Sequence, residues 1–498
     1  SDMIIYEVHV GTMTPAGTFT AIIDRLDDLL DLGINTIELM PVAQFPGDRN
    51  WGYDGVYPFA VQNSYGGPQG LKTLVNACHQ KGIVVLLDVV YNHLGPEGNY
   101  LADFAPYFTD KYKTPWGNAI NFDDAYNQGV RNYFIENALY WARHYHIDGL
   151  RLDAVHAIYD FSATPFLQQL AVAAKTLDRP FWLIAESDLN DSKLIRPPQQ
   201  GGYYLEAQWS DDFHHAVHAL LTGERAGYYQ DFGTVHHLAE TLQQGFYYSW
   251  KYSAYRKRYH GNDASDLPGH QFVVCIQNHD QVGNRMNGER LSALLSFESL
   301  KTAAGVLMLS PFVPLIFMGE EYAEESPFLY FVSHTDPQLV EAVRQGRKNE
   351  FVHFKWNQEP PDPQSRDSFE RSKLDWTKRS KNHHQTMVEF YKRLVDLRKN
   401  IRPIRNLDMH AQSVHWSDAV MEQKRWLNGE EIVALYNFND KQVNYRVAFE
   451  QSMTKLIDSS EEHWSGPGTL LPAKLDSQIV SLAPQSFAVY YRKGEKLE

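Results

Sequence analysis

The chain has 498 residues, enough for roughly three domains at about 150 residues each, although one α/β barrel absorbs about 250. Its 61 acidic side chains outnumber 46 basic ones, and a net charge of −15 argues against nucleic-acid binding, which needs clustered Lys and Arg to displace counterions. A 43% hydrophobic and 13% aromatic composition excludes disorder as the main state.

Cys78 and Cys275 are the two cysteines, each in an apolar stretch, so a disulfide framework is excluded and a reducing, cytoplasmic setting is expected. The opening Ser1 to Glu7 carries neither a basic nor a long apolar leader pattern. The longest uncharged run, Ala303 to Gly319, is short for a bilayer span and carries Pro311 and Pro314. It reads as a buried helix end followed by a buried strand.

From Ile4 to Met318 short apolar runs alternate with helical patterns, the signature of βα units and a parallel sheet. In chain order the strand candidates are Ile4 to Val10, Thr36 to Met40, Ile83 to Val89, Gly149 to Asp153, Trp182 to Ala185, Leu205 to Gln208, Phe272 to Ile276 and Leu315 to Met318. Helical patterns cover Phe19 to Leu32, Gly70 to Lys81, Gln128 to His144, Pro165 to Leu177, Val235 to Gln243, Ser292 to Leu309 and His383 to Lys399. Eight such strands predict an α/β fold, a closed (β/α)8 TIM barrel over residues 1–403. Two connections are long: an excursion over 94–124 after the third strand, and the loop over 320–382 after the eighth. From about 404 to 498 short alternating runs such as EIVALYNF and SFAVYYR predict a separate all-β sandwich domain.

The chemistry gathers at strand ends. The third strand ends in Asp88-Val89-Val90-Tyr91-Asn92-His93, the fourth reads Arg151-Leu152-Asp153-Ala154-Val155-His156, the fifth ends in Glu186, and the seventh runs into His279 and Asp280. Side chains alternate faces along a strand, so Arg151 and Asp153 point the same way, over the barrel mouth. A fixed guanidinium favours the ionised form of a neighbouring carboxylate, whereas partial desolvation of Glu186 would keep it protonated. One ionised and one protonated carboxyl group is the pair a retaining glycosidase needs. A lone buried carboxylate is ordinarily a structural hydrogen-bond partner, but several on the strand ends of one barrel are too costly to desolvate for packing alone.

The segments DVVYNH, GLRLDAVH, AESD and NHD, in that order, resemble the four motif regions of glycoside hydrolase family 13, the α-amylase family. The resemblance implies an α-glucan-active barrel with Asp153 as nucleophile, Glu186 as general acid/base and Asp280 as the third carboxylate, gripping sugar hydroxyls. It further implies that Arg151 orients the nucleophile, that His93 and His279 bind the sugar, and that Asp88 and His156 belong to the same motif regions. WGYDGV, at Trp51 to Val56, resembles the loop after the second strand and makes Tyr53 a stacking candidate.

A narrower resemblance covers nearly the whole chain. IIYEVHVGT, EAQWSDDFHHAVHALLTGERAGYY, YSAYRKRYHG and MGEEYAEESPFLYF look like the branch of that family that hydrolyses maltooligosyl trehalose. It implies cleavage of the α-1,4 bond beside a terminal trehalose, and the alternative is a 1,4-α-glucan branching transferase or another α-glucan-active enzyme of the family. Candidates for the trehalose side are Trp209, Asp211, Asp212, Tyr255, Arg256, Glu321 and Tyr322, because aromatic faces stack on sugars and carboxylates accept from hydroxyls. The resembled enzymes carry an immunoglobulin-like β domain before the barrel, and none is expected ahead of the first strand here, the sequence being either truncated or a natural short form. No cofactor, no metal, no nucleic acid and no membrane partner are expected, and the state is a monomer or homodimer. His214, His215 and His218, together on a helical pattern, are read as structural rather than metal ligands, and Gly66, Gly67 and Gly70 form no phosphate loop.

Overall fold

The computed structural model describes residues 2–351, 359–449, 451–476 and 478–494. Eight parallel strands close a barrel: β1 (Ile5–Val8), β2 (Thr36–Leu39), β3 (Val84–Val89), β4 (Gly149–Leu152), β5 (Trp182–Ala185), β6 (Ala207–Trp209), β7 (Phe272–Cys275) and β8 (Val313–Phe317). Every neighbour in the barrel is also the neighbour in sequence, with β8 closing on β1. All eight strands fall on the apolar runs of the sequence.

The two-residue period of a strand sorts these residues into two shells. One parity, including Tyr6, Ile37, Leu39, Val85, Leu87, Leu150, Leu152 and Leu183, joins the large core shared with the surrounding helices. The other parity fills the barrel, with Ile5, Leu86, Ile184, Ala207, Val273 and Leu315 packed together as a separate apolar layer. Continuing that inward parity towards the strand C-termini brings Glu7, Glu38, Asp88, Arg151 and Glu186, so the layer above the apolar plug is charged. The register sets Asp88 beside Arg151 and Glu7 beside Glu38 on adjacent strands.

Two helices break where one was expected. Phe19 to Leu32 forms Phe19–Ile23 and Leu26–Leu32, and the stretch after Arg290 forms Leu291–Leu294 and Phe297–Leu309. The second break is a capping effect: the Ser296 side chain accepts the Ser299 N–H, starting a new helix there. Ala303 to Gly319 is the end of that helix followed by β8, as its uncharged composition indicated. The excursion after β3 carries a short hairpin, Phe108–Thr114 paired with Gly117–Ile120. The connection after β8 includes helix Pro337–Phe351; residues 352–358 of it lie outside the described set.

Beyond the final barrel helix, Asn382–Asn400, the chain forms a six-stranded antiparallel sheet and a two-stranded sheet, Val443–Arg446 with Ile479–Leu482. The buried Lys301 donates to the Ser459 carbonyl at 2.6 Å and the buried Arg425 to the Leu309 carbonyl at 2.6 Å, so side chains from each domain cap backbone groups of the other. No helix among the described residues is long and apolar enough to cross a membrane.

Candidate active site

Arg151, fully buried, organises the mouth. Its Nη1 donates to Asp88 Oδ2 at 2.8 Å and to Asp153 Oδ1 at 2.9 Å, and its Nη2 lies 3.4 Å from Glu186 Oε2. One guanidinium therefore touches three carboxyl groups from β3, β4 and β5. The indole of Trp209, from β6, covers it at 4.5 Å, shielding the cation from water with a π face.

The two carboxyl groups are held differently. Asp153 receives Arg151 on Oδ1 and the Asn92 amide, at 2.7 Å, on Oδ2, so both oxygens face donors. Burial pushes Glu186 up to about 8; Arg151 opposes the shift and the charges of Asp153, Asp211 and Asp280 reinforce it. The Ala154 N–H donates to Glu186 Oε2 at 2.7 Å. Ala154 reaches that position with φ of 39°, a left-handed conformation that a Cβ disfavours, so backbone strain sits in the turn directly after Asp153. With Arg151 and Ala154 both on Oε2, Oε1 is left to carry the proton.

His279 completes the mouth from the end of β7. Its Nδ1 meets Glu7 Oε1 at 2.5 Å, while its Nε2 lies 2.7 Å from the Tyr53 hydroxyl and 3.6 Å from Asp280 Oδ2. Burial alone would depress this imidazole, but the charges of Glu7 and Asp280 and the Glu7 hydrogen bond push it up to about 9. Tyr53 stacks on His279 with ring centroids 5.3 Å apart and donates to Asp88 Oδ2 at 2.6 Å. His93 Nε2 lies 2.9 Å from the Tyr53 carbonyl. Asp280 is partly exposed in the first turn of helix His279–Gly283, available to a ligand from solvent. A partly protonated acid, an anchored carboxylate and an imidazolium around one opening can protonate, attack and grip a sugar.

The catalytic-domain model of the alpha-amylase family, described as "Alpha amylase, catalytic domain", matches residues 7–116 and 121–407. The chain belongs to the alpha-amylase family. It is 52% identical over 398 residues to a malto-oligosyltrehalose trehalohydrolase of Saccharolobus solfataricus, covering 80% of this chain and 69% of that one. A malto-oligosyltrehalose trehalohydrolase of Rhizobium sp. is 42% identical over 493 residues, 98% of this chain and 80% of the relative. A crystal structure of a Salmonella typhimurium chain named as an alpha amylase superposes with a TM-score of 0.88 at 38% identity, covering 99% of this chain and 82% of that one. The chain is thus a glycoside hydrolase of the alpha-amylase family, with a TIM-barrel catalytic domain.

The alpha-amylase motif residues named from sequence come together around one opening: Asp88, His93, Arg151, Asp153, Glu186, His279, Asp280 and Tyr53. His156 lies just beyond, its Nδ1 accepting from the Asp188 N–H at 3.2 Å, beside an open pocket of about 280 Å³ that Ser187 also lines. Of the residues expected on the acceptor side, Trp209 ends β6 and Asp211 follows it, and burial followed by the charge of Asp280 pushes Asp211 up to about 7. Arg256 grips Asp188 with two nitrogens, Nη1 at 3.1 Å and Nη2 at 2.5 Å, and Tyr255 beside it is exposed.

Three trehalose-side candidates lie elsewhere. Glu321 and Tyr322, 1% and 0% exposed, sit outside the barrel wall. Glu321 accepts from the hydroxyl of Tyr6, whose parity faces the helices, and Tyr322 donates to Glu324. Asp212, one helical step past Asp211, turns into the protein and accepts the N–H groups of Tyr247 and Tyr248, each at 2.9 Å. All three hold loops in place and are corrected to structural roles.

Sequence reading missed Glu7 and Glu38, the charged layer beneath the mouth. Burial, then the charges of Glu7 and Asp88, raise Glu38 well above the usual carboxylate range. The available signal was an inward-parity carboxylate in an otherwise apolar strand. It also missed Trp116, whose ring stacks on His93 at 3.9 Å, for which no sequence signal existed. His214 and His218 are occupied by Tyr229 and Glu224, as structural histidines would be.

Proposed function

We propose that the enzyme hydrolyses the α-1,4 bond beside the terminal trehalose of maltooligosyl trehalose with retention, releasing trehalose and a maltooligosaccharide. The observation that carries the cleavage chemistry is the contact of Arg151 with both Asp153 and Glu186, which sets the two carboxyl groups on one guanidinium. A close-set pair is the retaining arrangement, in which about 5 to 5.5 Å separates nucleophile and acid.

In this reading Glu186 Oε1 protonates the leaving oxygen while Asp153 attacks the anomeric carbon and forms a glycosyl ester. Glu186, now ionised, takes a proton from water, which opens the ester and restores both groups. Arg151 holds Asp153 in line throughout. Asp280, paired with the His279 imidazolium, accepts from sugar hydroxyls, and Tyr53 offers an aromatic face to the ring at the cleavage point. Trp209, Asp211, Tyr255 and Arg256 bound the leaving-group side, where trehalose would sit. A monomer or homodimer in the cytoplasm, needing no cofactor for the cleavage, is the setting we propose.

Separate incubation with maltooligosyl trehalose and with amylose tests the reading. Free trehalose from the first is expected. New α-1,6 linkages in the second, without trehalose from the first, would replace it with a branching transferase.

A further inference from the structure

We propose that Glu325, His383 and His384 form a binding site for a divalent transition-metal ion of the zinc class, separate from the catalytic cluster. The three side chains offer ligand atoms that all lie within 4.8 Å of one another. Two imidazoles and a carboxylate are a borderline donor set that suits zinc and its neighbours, and three protein ligands leave one position for water.

The tautomer of His384 favours this use. Its Nδ1 lies 2.7 Å from the Tyr322 carbonyl, which can only accept, so Nδ1 carries the hydrogen and Nε2 keeps its lone pair. A metal-bound histidine is ordinarily fixed in this way, by a second hydrogen bond to a carbonyl or carboxylate. On a regular helix consecutive side chains diverge by about 100°. Here His383 and His384 open helix Asn382–Asn400 after Asn382, whose φ is 45°, and their rings lie only 4.0 Å apart with a 34° tilt.

The surroundings allow entry and release. His384 is buried, whereas His383 and Glu325 are exposed, so an ion would arrive from solvent onto a fixed inner ligand. Lys378 is the competing cation: its Nζ lies 3.2 Å from Glu325 Oε2 and 3.0 Å from Glu324 Oε1. A bound dication would share or displace that pair. It would also tie the turn after β8 to the final barrel helix, closing the connection between them.

Protein stripped with a chelator and titrated with zinc chloride by calorimetry, and with cobalt chloride by visible absorption, tests the site. One equivalent of each should bind, with a four-coordinate cobalt band that zinc removes, while magnesium does not compete. His383→Ala and Glu325→Gln change exposed side chains outside the catalytic cluster, so both should fold and cleave substrate normally. Each should weaken zinc at least about tenfold. Absence of stoichiometric binding, or variants that bind zinc as the parent does, would overturn the assignment and place any bound ion on other histidines.

Discussion

Glu7 Oε1 stands 2.5 Å from His279 Nδ1, and the second Glu7 oxygen accepts the His279 backbone N–H at 3.0 Å. One carboxylate from the first strand thus fixes both the ring and the backbone of a residue at the end of the seventh. Because both partners are buried, the pair carries the charge of His279 across the floor of the mouth. An imidazole held up at about 9 adds stability that is complete below its unfolded value of about 6.5 and is lost as pH rises through about 9. Glu7→Gln removes one partner of a buried pair and should cost ~3 kcal/mol. The loss should be largest at about pH 6 and shrink as pH rises through about 9, where the parent sheds the same proton. Thermal unfolding from pH 6 to pH 10 measures it, and parallel curves for parent and variant would contradict the assigned charge.

Glu186 shares the sign of that pH dependence, but its removal should stabilise the protein at high pH rather than weaken it. A carboxyl raised to about 8 stabilises the fold fully only below its unfolded value of about 4.5, and that contribution is lost as pH rises through about 8. Above that range the parent holds a buried charge that Glu186→Gln lacks. The variant should therefore be more stable than the parent at pH 8 to 9, by ~1 kcal/mol or more, and melt at a higher temperature, while its kcat falls about a hundredfold or further. The parent's kcat/KM should decline above about pH 8 as the acid ionises. Equal melting temperatures together with an undiminished rate would remove Glu186 from the role of acid.

What the sequence revealed, and what it hid, follows from how far a local rule reaches. The two-residue strand period continues a step beyond the last ladder hydrogen bond, so Asp153 and Glu186 could be aimed at the mouth from their distance to Arg151 and Ala185 alone. The same period applied to Ile5-Tyr6-Glu7 would have exposed Glu7, and would have shown Tyr6 facing the helices, where Glu321 meets it. Loop residues obey no such period. Asp211 and Asp212 differ by one helical step, and only the N–H groups of Tyr247 and Tyr248, far along the chain, decide that Asp212 turns inward. The stack of Trp116 on His93 depends on how a hairpin folds over the barrel, which no spacing encodes.

Arg256 offers a test of the trehalose side that leaves the catalytic groups intact. Its guanidinium holds Asp188, whose own N–H is tied to His156, so the hairpin formed by Lys251–Ser253 and Arg258–His260 is anchored to the rim just past Glu186. Arg256→Ala frees that anchor. KM for maltooligosyl trehalose should rise about tenfold, equivalent to ~1.4 kcal/mol, with a smaller change for a maltooligosaccharide that lacks trehalose. Steady-state kinetics on both substrates gives the comparison. Equal losses on the two would move Arg256 from selectivity to general support of the mouth.

Asp153 permits the sharpest test of retention. Asp153→Ala removes the group proposed to bond the anomeric carbon, but leaves Arg151 its contacts with Asp88 and Glu186, so the guanidinium keeps its other two carboxyl partners. Turnover should fall at least about a thousandfold, because no covalent intermediate can form. A small anion such as azide fits the space left by the carboxylate and can attack the same carbon from the same face, with Glu186 still protonating the leaving oxygen. Attack from that face inverts the centre once, and nothing then displaces the product a second time. The variant with azide should therefore yield a β-glycosyl azide, identified by proton NMR, where the parent yields an α-configured sugar. A parent that releases the β-anomer first would make Asp153 a base for water rather than a nucleophile, and an α-configured azide product, which needs two displacements, would give the nucleophile's place to another carboxylate.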